Sequence, residues 1–321
     1  MKAYIPRYLE YAGRWIYDGY SSAWQHLGFE VSRSDTPDGE SPHAIMMQIP
    51  DEVKSKEHYK DYIMMAIDEC INVHPEYFLE AAHNSHKTFI YVQPHTFPSP
   101  WGSHPNFISR VPDGIITELK KLSNVHFWAF SDAVNVEGYY EKWGKVNCVP
   151  LAFDSIGYQA VDVPRYKKFD VSFVGGWANN GFNEKKQIII KTFSAFQDAG
   201  LKCGFFVNKN LTHEQECGLL ANSKITLNIH DAYQRILGYD TNERTFKSLG
   251  LNGAMVGDSI TQLNRLFPDI KTSSEPKEMV RLVKELLSLS EAELNQIKEK
   301  NKQDILDNHC YTNRVRQLLE L

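Results

Sequence analysis

The chain has 321 residues, of which 42% are apolar, 12% aromatic and 23% charged, which fits two folded domains of about 100–200 residues each and excludes a disordered or low-complexity chain. The formal net charge of −5 argues against a large duplex nucleic-acid footprint, because neutralising phosphates needs a basic face. The five cysteines (Cys70, Cys148, Cys203, Cys217 and Cys310) are odd in number and form no CxxC pair. Reduced thiols in a cytoplasmic protein are expected, rather than a disulfide framework or a zinc site. Residues 1–7 lack the apolar run of a signal peptide, and no stretch approaches the roughly 18 consecutive apolar residues of a membrane span.

In chain order, residues 2–6 read as a strand. Ile16, Tyr20, Ala23, Trp24 and Leu27 fall on one helical face, and Gly28 ends that helix. A second strand begins at Phe29, residues 33–42 read as a loop, and residues 44–49 read as a third strand stopped by Pro50. Helical periodicity runs over 56–82, interrupted near His74-Pro75. Residues 88–92 are a strong strand, followed by a Pro- and His-rich loop. A helix near 113–122, a strand at 125–130, a helix at 134–143 and a strand at 145–149 complete this half.

Residues 151–168 have no clear period and read as a linker. The pattern then restarts with strands at 170–174, 203–207, 225–229 and 254–256. Helices are expected at 184–199, 213–222, 242–251, 276–288, 291–307 and 311–321. Such alternation predicts parallel sheets covered by helices on both faces. The expected fold class is therefore α/β, with two Rossmann-like, doubly wound domains facing a cleft. The expected limits are 1–150 for the N-terminal, acceptor-side domain and 169–308 for the C-terminal, donor-side domain. Residues 309–321 are expected to pack back on the N-terminal domain through Val315, Leu318 and Leu319.

No GxGxxG, Walker A, HExxH or Asp-x-Asp motif occurs, so neither a dinucleotide fingerprint nor a metal-bridged diphosphate motif is present, and no metal site is expected. Ligands of open α/β sheets sit at the carboxyl ends of strands, and four segments lie there. Gly175 and Gly176 open the loop before a helix that carries Lys185 and Lys186, an arrangement suited to an anion. Arg244 lies in the first turn of the next-but-one predicted helix. A cation there opposes the helix dipole and is easier to explain if it grips an anion. His95 follows the strand at 88–92 and is the candidate acid or base. Residues 228–235, with His230, Asp231 and Arg235, read as a polar loop. Tyr8 and Tyr11 are candidates for an acceptor platform.

These residues resemble a family. Asn242-x-Arg244-x-Phe246-x-x-Leu249-x-x-x-Gly253-Ala254 is similar to the donor-site signature of GT-B-fold glycosyltransferases, in the spore-maturation-protein-B-like branch. Residues 170–175, the crossing at 149–154 and the run from His309 to Val315 resemble other parts of that family's C-terminal half. The resemblance implies GT-B architecture and transfer from a nucleotide-diphosphate sugar, used as a co-substrate with no cofactor and no metal. It implies that Gly175 and Gly176 face the diphosphate, that Arg244 neutralises it and that Asn242 shapes the loop. Many relatives carry two glutamates eight residues apart, and here those places hold Tyr239 and Lys247. Either Lys247 touches phosphate instead, or Glu243 reaches the ribose. The acceptor stays open among a glycan, a protein and a small molecule. Two other readings stand beside this one: transfer to hydroxylated bases in DNA, and a non-catalytic sugar-nucleotide binding module.

Overall fold

The computed structural model describes residues 1–5, 11–33, 61–73, 75–103, 107–135, 138–177, 184–209 and 211–321. They form two compact units: Met1–Pro150 together with Tyr311–Leu321, and Leu151–Cys310. Among the described residues, no helix is long and apolar enough to cross a membrane.

The first unit begins with β1 (Lys2–Ile5), α1 (Tyr11–His26), β2 (Glu30–Arg33) and β3 (Tyr62–Ile67). It continues with α2 (Asp68–Val73), α3 (Pro75–Asn84), β4 (Lys87–Tyr91), α4 (Asp113–Leu119), β5 (Val125–Ala129), α5 (Tyr140–Trp143) and β6 (Val146–Cys148). The strands pair in parallel in the order β2-β1-β3-β4-β5-β6. β3 corrects the sequence reading, which ran a helix through 56–82. All six residues of β3 are buried, and a strand covered on both faces is an unbroken apolar run with no period of two to betray it. The strand expected at 44–49 lies outside the described residues.

The second unit carries β7 (Val171–Gly175), α6 (Glu184–Asp198), β8 (Cys203–Val207), α7 (His213–Asn222), β9 (Ile225–Asn228) and α8 (Ala232–Leu237). It continues with α9 (Glu243–Leu251), β10 (Met255–Gly257), α10 (Thr261–Leu266), β11 (Lys271–Thr272), α11 (Pro276–Leu287) and α12 (Glu291–Asn308). Its parallel sheet has the order β11-β10-β9-β7-β8. Phe173, Leu227 and Val256 of the central strands are fully buried. Helix α11 covers them with Met279, Val280, Val283 and Leu286, each such side chain contributing roughly 1.5–3 kcal/mol by burial. Helix α8 stands where the sequence read a polar loop, and α10 and β11 had no expected counterpart. All three are too short for periodicity to declare them. Residues 151–168 belong to this unit, with Phe153, Tyr158 and Tyr166 buried.

The last helix, α13 (Tyr311–Leu319), belongs to the first unit. Val315 and Leu318 are fully buried, and the Tyr311 ring lies 4.8 Å from that of Tyr20. A Cβ on Gly19 would stand 2.3 Å from the Tyr311 ring, so a glycine inside α1 permits this close approach. Arg314 Nε donates to the Pro150 carbonyl at 2.8 Å, and Lys87 Nζ to that of Leu319 at 2.8 Å.

In the second sheet the connection from β7 leads to β8 on one side, and that from β9 leads to β10 on the other. The loops after β7 and β9 therefore part at a topological switch point, where α/β sheets bind ligands.

Candidate functional site

The loop after β7 is shaped by close approaches that only glycine allows. A Cβ on Gly175 would lie 2.3 Å from Arg244 Nη2, and one on Gly176 would lie 1.7 Å from Asn208 Oδ1. Asn208 follows β8 with a φ of 50°, a region that Asn tolerates better than most residues. Its N–H donates to the Gly175 carbonyl at 2.9 Å, and its Oδ1 accepts from the Trp177 N–H at 3.1 Å. One asparagine thus braces the glycine loop from the next strand.

The loop after β9 aims Arg244. Asn242 caps α9, its Oδ1 accepting from the Thr245 N–H at 3.3 Å and from Asn228 Nδ2 at 3.0 Å. Asn228, at the end of β9, also donates to Thr245 Oγ1 at 2.7 Å. Its remaining oxygen accepts from Arg244 Nη1 at 3.3 Å, and the Ile229 carbonyl accepts from the same nitrogen at 3.2 Å. The guanidinium lies 4.9 Å from the centre of the Phe173 ring. Arg244 is therefore held by neutral acceptors and an aromatic face, which leaves its charge for an anion. Burial works against that charge, and Asp231, Glu243, Glu216 and Asp258 work for it. An arginine stays protonated in such a balance.

Lys185 is the second cation. It sits in the first turn of α6, only 11% exposed, with Nζ 2.9 Å from Asp231 Oδ1. Burial lowers its pKa, the Asp231 carboxylate opposes the shift and the Arg244 charge adds to it. Lys185 and Arg244 thus concentrate positive charge beside the glycine loop. Lys186 is exposed, its ammonium 5.7 Å from the Trp177 ring.

Lys247 faces elsewhere. Its ammonium lies 2.7 Å from Glu216 Oε1 and 3.2 Å from Glu243 Oε2, over the Tyr158 ring at 5.1 Å. All three charged side chains are at least nine-tenths buried. Burial works to raise the Glu216 pKa, but Lys247 holds it below the ordinary value. Burial holds Glu243 above the ordinary value, against the pull of Lys247. Lys247 itself is held above its ordinary value by the two carboxylates, despite its burial. The ammonium is engaged by two carboxylates, and Glu243 is engaged with it.

Beneath the β9 loop, His230 is fully buried. Its Nε2 is 2.8 Å from Thr241 Oγ1, and its N–H donates to Asp258 Oδ2 at 2.5 Å. Burial pushes the imidazole pKa down, so it is a neutral support for the loop.

In the first unit, His95 lies exposed in the loop after β4. That loop is pinned. The Gln93 N–H donates to Asp68 Oδ2 at 3.0 Å, Trp143 Nε1 donates to the Gln93 carbonyl at 2.6 Å, and the His95 N–H donates to that of Gly138 at 2.5 Å. Tyr8 and the side chain of Tyr11 lie outside the described residues. Sequence reasoning missed Glu216 and Asn208. Glu216 looked like an ordinary first-turn acid, and its partner is 31 positions away. Asn208 carried one signal, an asparagine directly after a strand.

Gly175→Ala is expected to abolish anion binding at this site without unfolding the unit, because the new methyl occupies the guanidinium's place. Calorimetry with inorganic pyrophosphate checks this, and an unchanged affinity contradicts it.

Residues 167–320 match the family model described as Glycosyl transferase-like. No curated protein matches the sequence. An alpha-glucosyltransferase solved with UDP-glucose and DNA containing an abasic site is similar at a TM-score of 0.60 and 12% identity, covering 99% of this chain and 98% of that one. A point mutant of S. aureus TarM, solved with Fondaparinux, alpha-GlcNAc-glycerol and UDP, matches at 0.54 and 11% identity, over 88% of this chain and 59% of that one. The alpha,alpha-trehalose 6-phosphate synthase from Burkholderia multivorans matches at 0.53 and 11%, over 81% and 71%. These likenesses show the fold, two parallel α/β units of the GT-B class.

Proposed function

We propose that the protein is a glycosyltransferase that takes a sugar from a nucleotide-diphosphate donor bound in the second unit. The observation that carries this reading is the pairing of Arg244 and Lys185 beside the Gly175–Gly176 loop at the switch point of a parallel sheet. The family match over 167–320 supports it. In transfer, the bond between the anomeric carbon and the diphosphate oxygen breaks, and negative charge grows on the leaving phosphate. Two fixed cations and the loop's N–H groups stabilise that charge more in the transition state than in the ground state. Metal-independent transfer follows from this reading, since the charge on the diphosphate is met by side chains. Placement in the spore-maturation-protein-B-like branch rests on the motifs from Asn242 to Ala254 and from His309 to Val315. A cytoplasmic location accords with the reduced thiols of Cys203 and Cys217.

The test is release of nucleoside diphosphate from UDP- and GDP-sugars, with and without a panel of acceptor hydroxyl compounds. Turnover by the native chain supports the reading. Binding without any turnover would favour a sugar-nucleotide binding module, and no binding at all would sink both.

In this reading His95 takes the acceptor's proton or contacts the donor sugar. His95→Ala is expected to lower kcat by about 10²–10⁴-fold, the range for a lost acid or base, with donor affinity nearly unchanged. A variant with a lower melting temperature and full turnover contradicts that role.

A second reading, with DNA as the acceptor, is favoured by the end-to-end match to a DNA-bound glucosyltransferase. Of the lysines that would form a basic strip (Lys120, Lys121, Lys142 and Lys145), Lys142 has its ammonium buried, 6% exposed, and donating to the Val111 carbonyl at 3.0 Å. A duplex-DNA mobility shift that weakens steeply with salt would support this reading.

A further inference from the structure

Four carboxylates act electrostatically on Arg244, and they differ in what holds them. Glu216 and Glu243 are each 10% exposed and are tied to Lys247. Asp258 is 1% exposed, with one oxygen accepting from the His230 N–H and the other 3.6 Å from Arg235 Nε. Asp231 is 42% exposed, and its Oδ1 is 2.9 Å from Lys185 Nζ. It is also the leading carboxylate influence on both Arg244 and Lys185. A partly buried cation needs an anion beside it, and Asp231 supplies one. It is by far the most exposed carboxylate of this group.

We infer that Asp231 is an internal counter-anion, which competes with a ligand's phosphate oxygens for Lys185 and Arg244 and so sets the charge a ligand must carry to bind. The inference rests on the reading of this site as a diphosphate site. A single phosphate group, at about −1.5 to −2 charge near pH 7, brings less attraction than a diphosphate against the carboxylate beside it. A diphosphate brings enough to draw both cations. Asp231 thereby favours a diphosphate group over a single phosphate, whether nucleoside-bound or inorganic, and it is a specificity-determining residue rather than a reacting one.

The test is the affinity of the full chain for orthophosphate and for pyrophosphate, by calorimetry at fixed pH and salt. Asp231→Asn removes the charge but keeps the shape and an equally good helix cap at the start of α8. Its expected effect is tighter binding of both anions by at least about tenfold, the scale of one charge-assisted hydrogen bond. Orthophosphate gains more, so the preference for pyrophosphate narrows. Asp231→Glu restores the native preference. Thermal unfolding of each variant confirms that it is folded. If the native chain binds pyrophosphate and Asp231→Asn binds no tighter, the inference falls and the site reading stands; weaker binding would mean that Asp231 positions Lys185 instead. If neither protein binds pyrophosphate, the site reading falls and takes the inference with it.

Discussion

Arg244→Ala is expected to weaken nucleoside-diphosphate binding by about 10–100-fold and to abolish transfer, while the second unit stays folded. One charge-assisted hydrogen bond is worth about 1.5–3 kcal/mol, and a guanidinium offers two such bonds in one plane. The residue is built for this. Asn228 and the Ile229 carbonyl fix Nη1, Phe173 supports the guanidinium face, and Gly175 leaves room for Nη2. None of those partners is charged, so alanine strands no buried carboxylate directly bonded to it. The loss therefore falls on ligand affinity more than on the fold. Arg244→Lys is expected to recover only part of the affinity, because an ammonium cannot reproduce the planar fork. Calorimetry with UDP and GDP reads the first number, and product formation reads the second. Native affinity in Arg244→Ala would remove the residue from the site.

Lys247→Met should act on stability instead, by about 3–5 kcal/mol, because it leaves Glu216 and Glu243 buried without their cation. The pH dependence follows from the directions of the shifts. Glu216 is held below its ordinary value in the folded chain. Its stabilising contribution is present above the unfolded carboxylate pKa and is lost as pH falls through the folded one. Lys247 is held above its ordinary value. Its contribution is complete below the unfolded lysine pKa and is lost as pH rises through the folded value. Glu243 runs the other way, since burial raises its pKa. Ionising it costs stability as pH rises past the unfolded carboxylate value. Glu216→Gln should therefore destabilise the chain at pH 7, whereas Glu243→Gln should be neutral or stabilising. Lys247→Met should regain stability as pH falls from 7 towards 5, when its two stranded carboxylates take up protons. Urea unfolding of the three variants at both pH values checks all of this. Equal losses in the two glutamine variants would contradict the asymmetry.

The parallel α/β order was legible because strands such as 171–175 and 225–228 are short apolar runs between amphipathic helices. Periodicity failed at Tyr62–Ile67, where burial on both faces erases the alternation that marks a strand. In the candidate site, the local roles of Gly175, Asn242 and Arg244 were legible because each occupies an element terminus where its residue type has a local physical reason. The fate of Lys247 was not. Its partner Glu216 comes from α7, and pairing across 31 positions leaves no local pattern. Asp231 was visible as one polar residue of a loop, but its bond to Lys185 spans β8, α7 and β9. Such long-range charge pairing is decided by the sheet order and is invisible to any local window.

In the proposed function a nucleotide diphosphate binds at the switch point of the second sheet, between the loop after β7 and the start of α9. Amide hydrogen exchange of the full chain, with and without saturating UDP, GDP or ADP, tests it most directly. At least one nucleotide is predicted to protect peptides covering Gly175–Trp177 and Asn242–Lys247, with protection lost in Arg244→Ala. No protection by any of the three, or protection confined to peptides of the first unit, would contradict it.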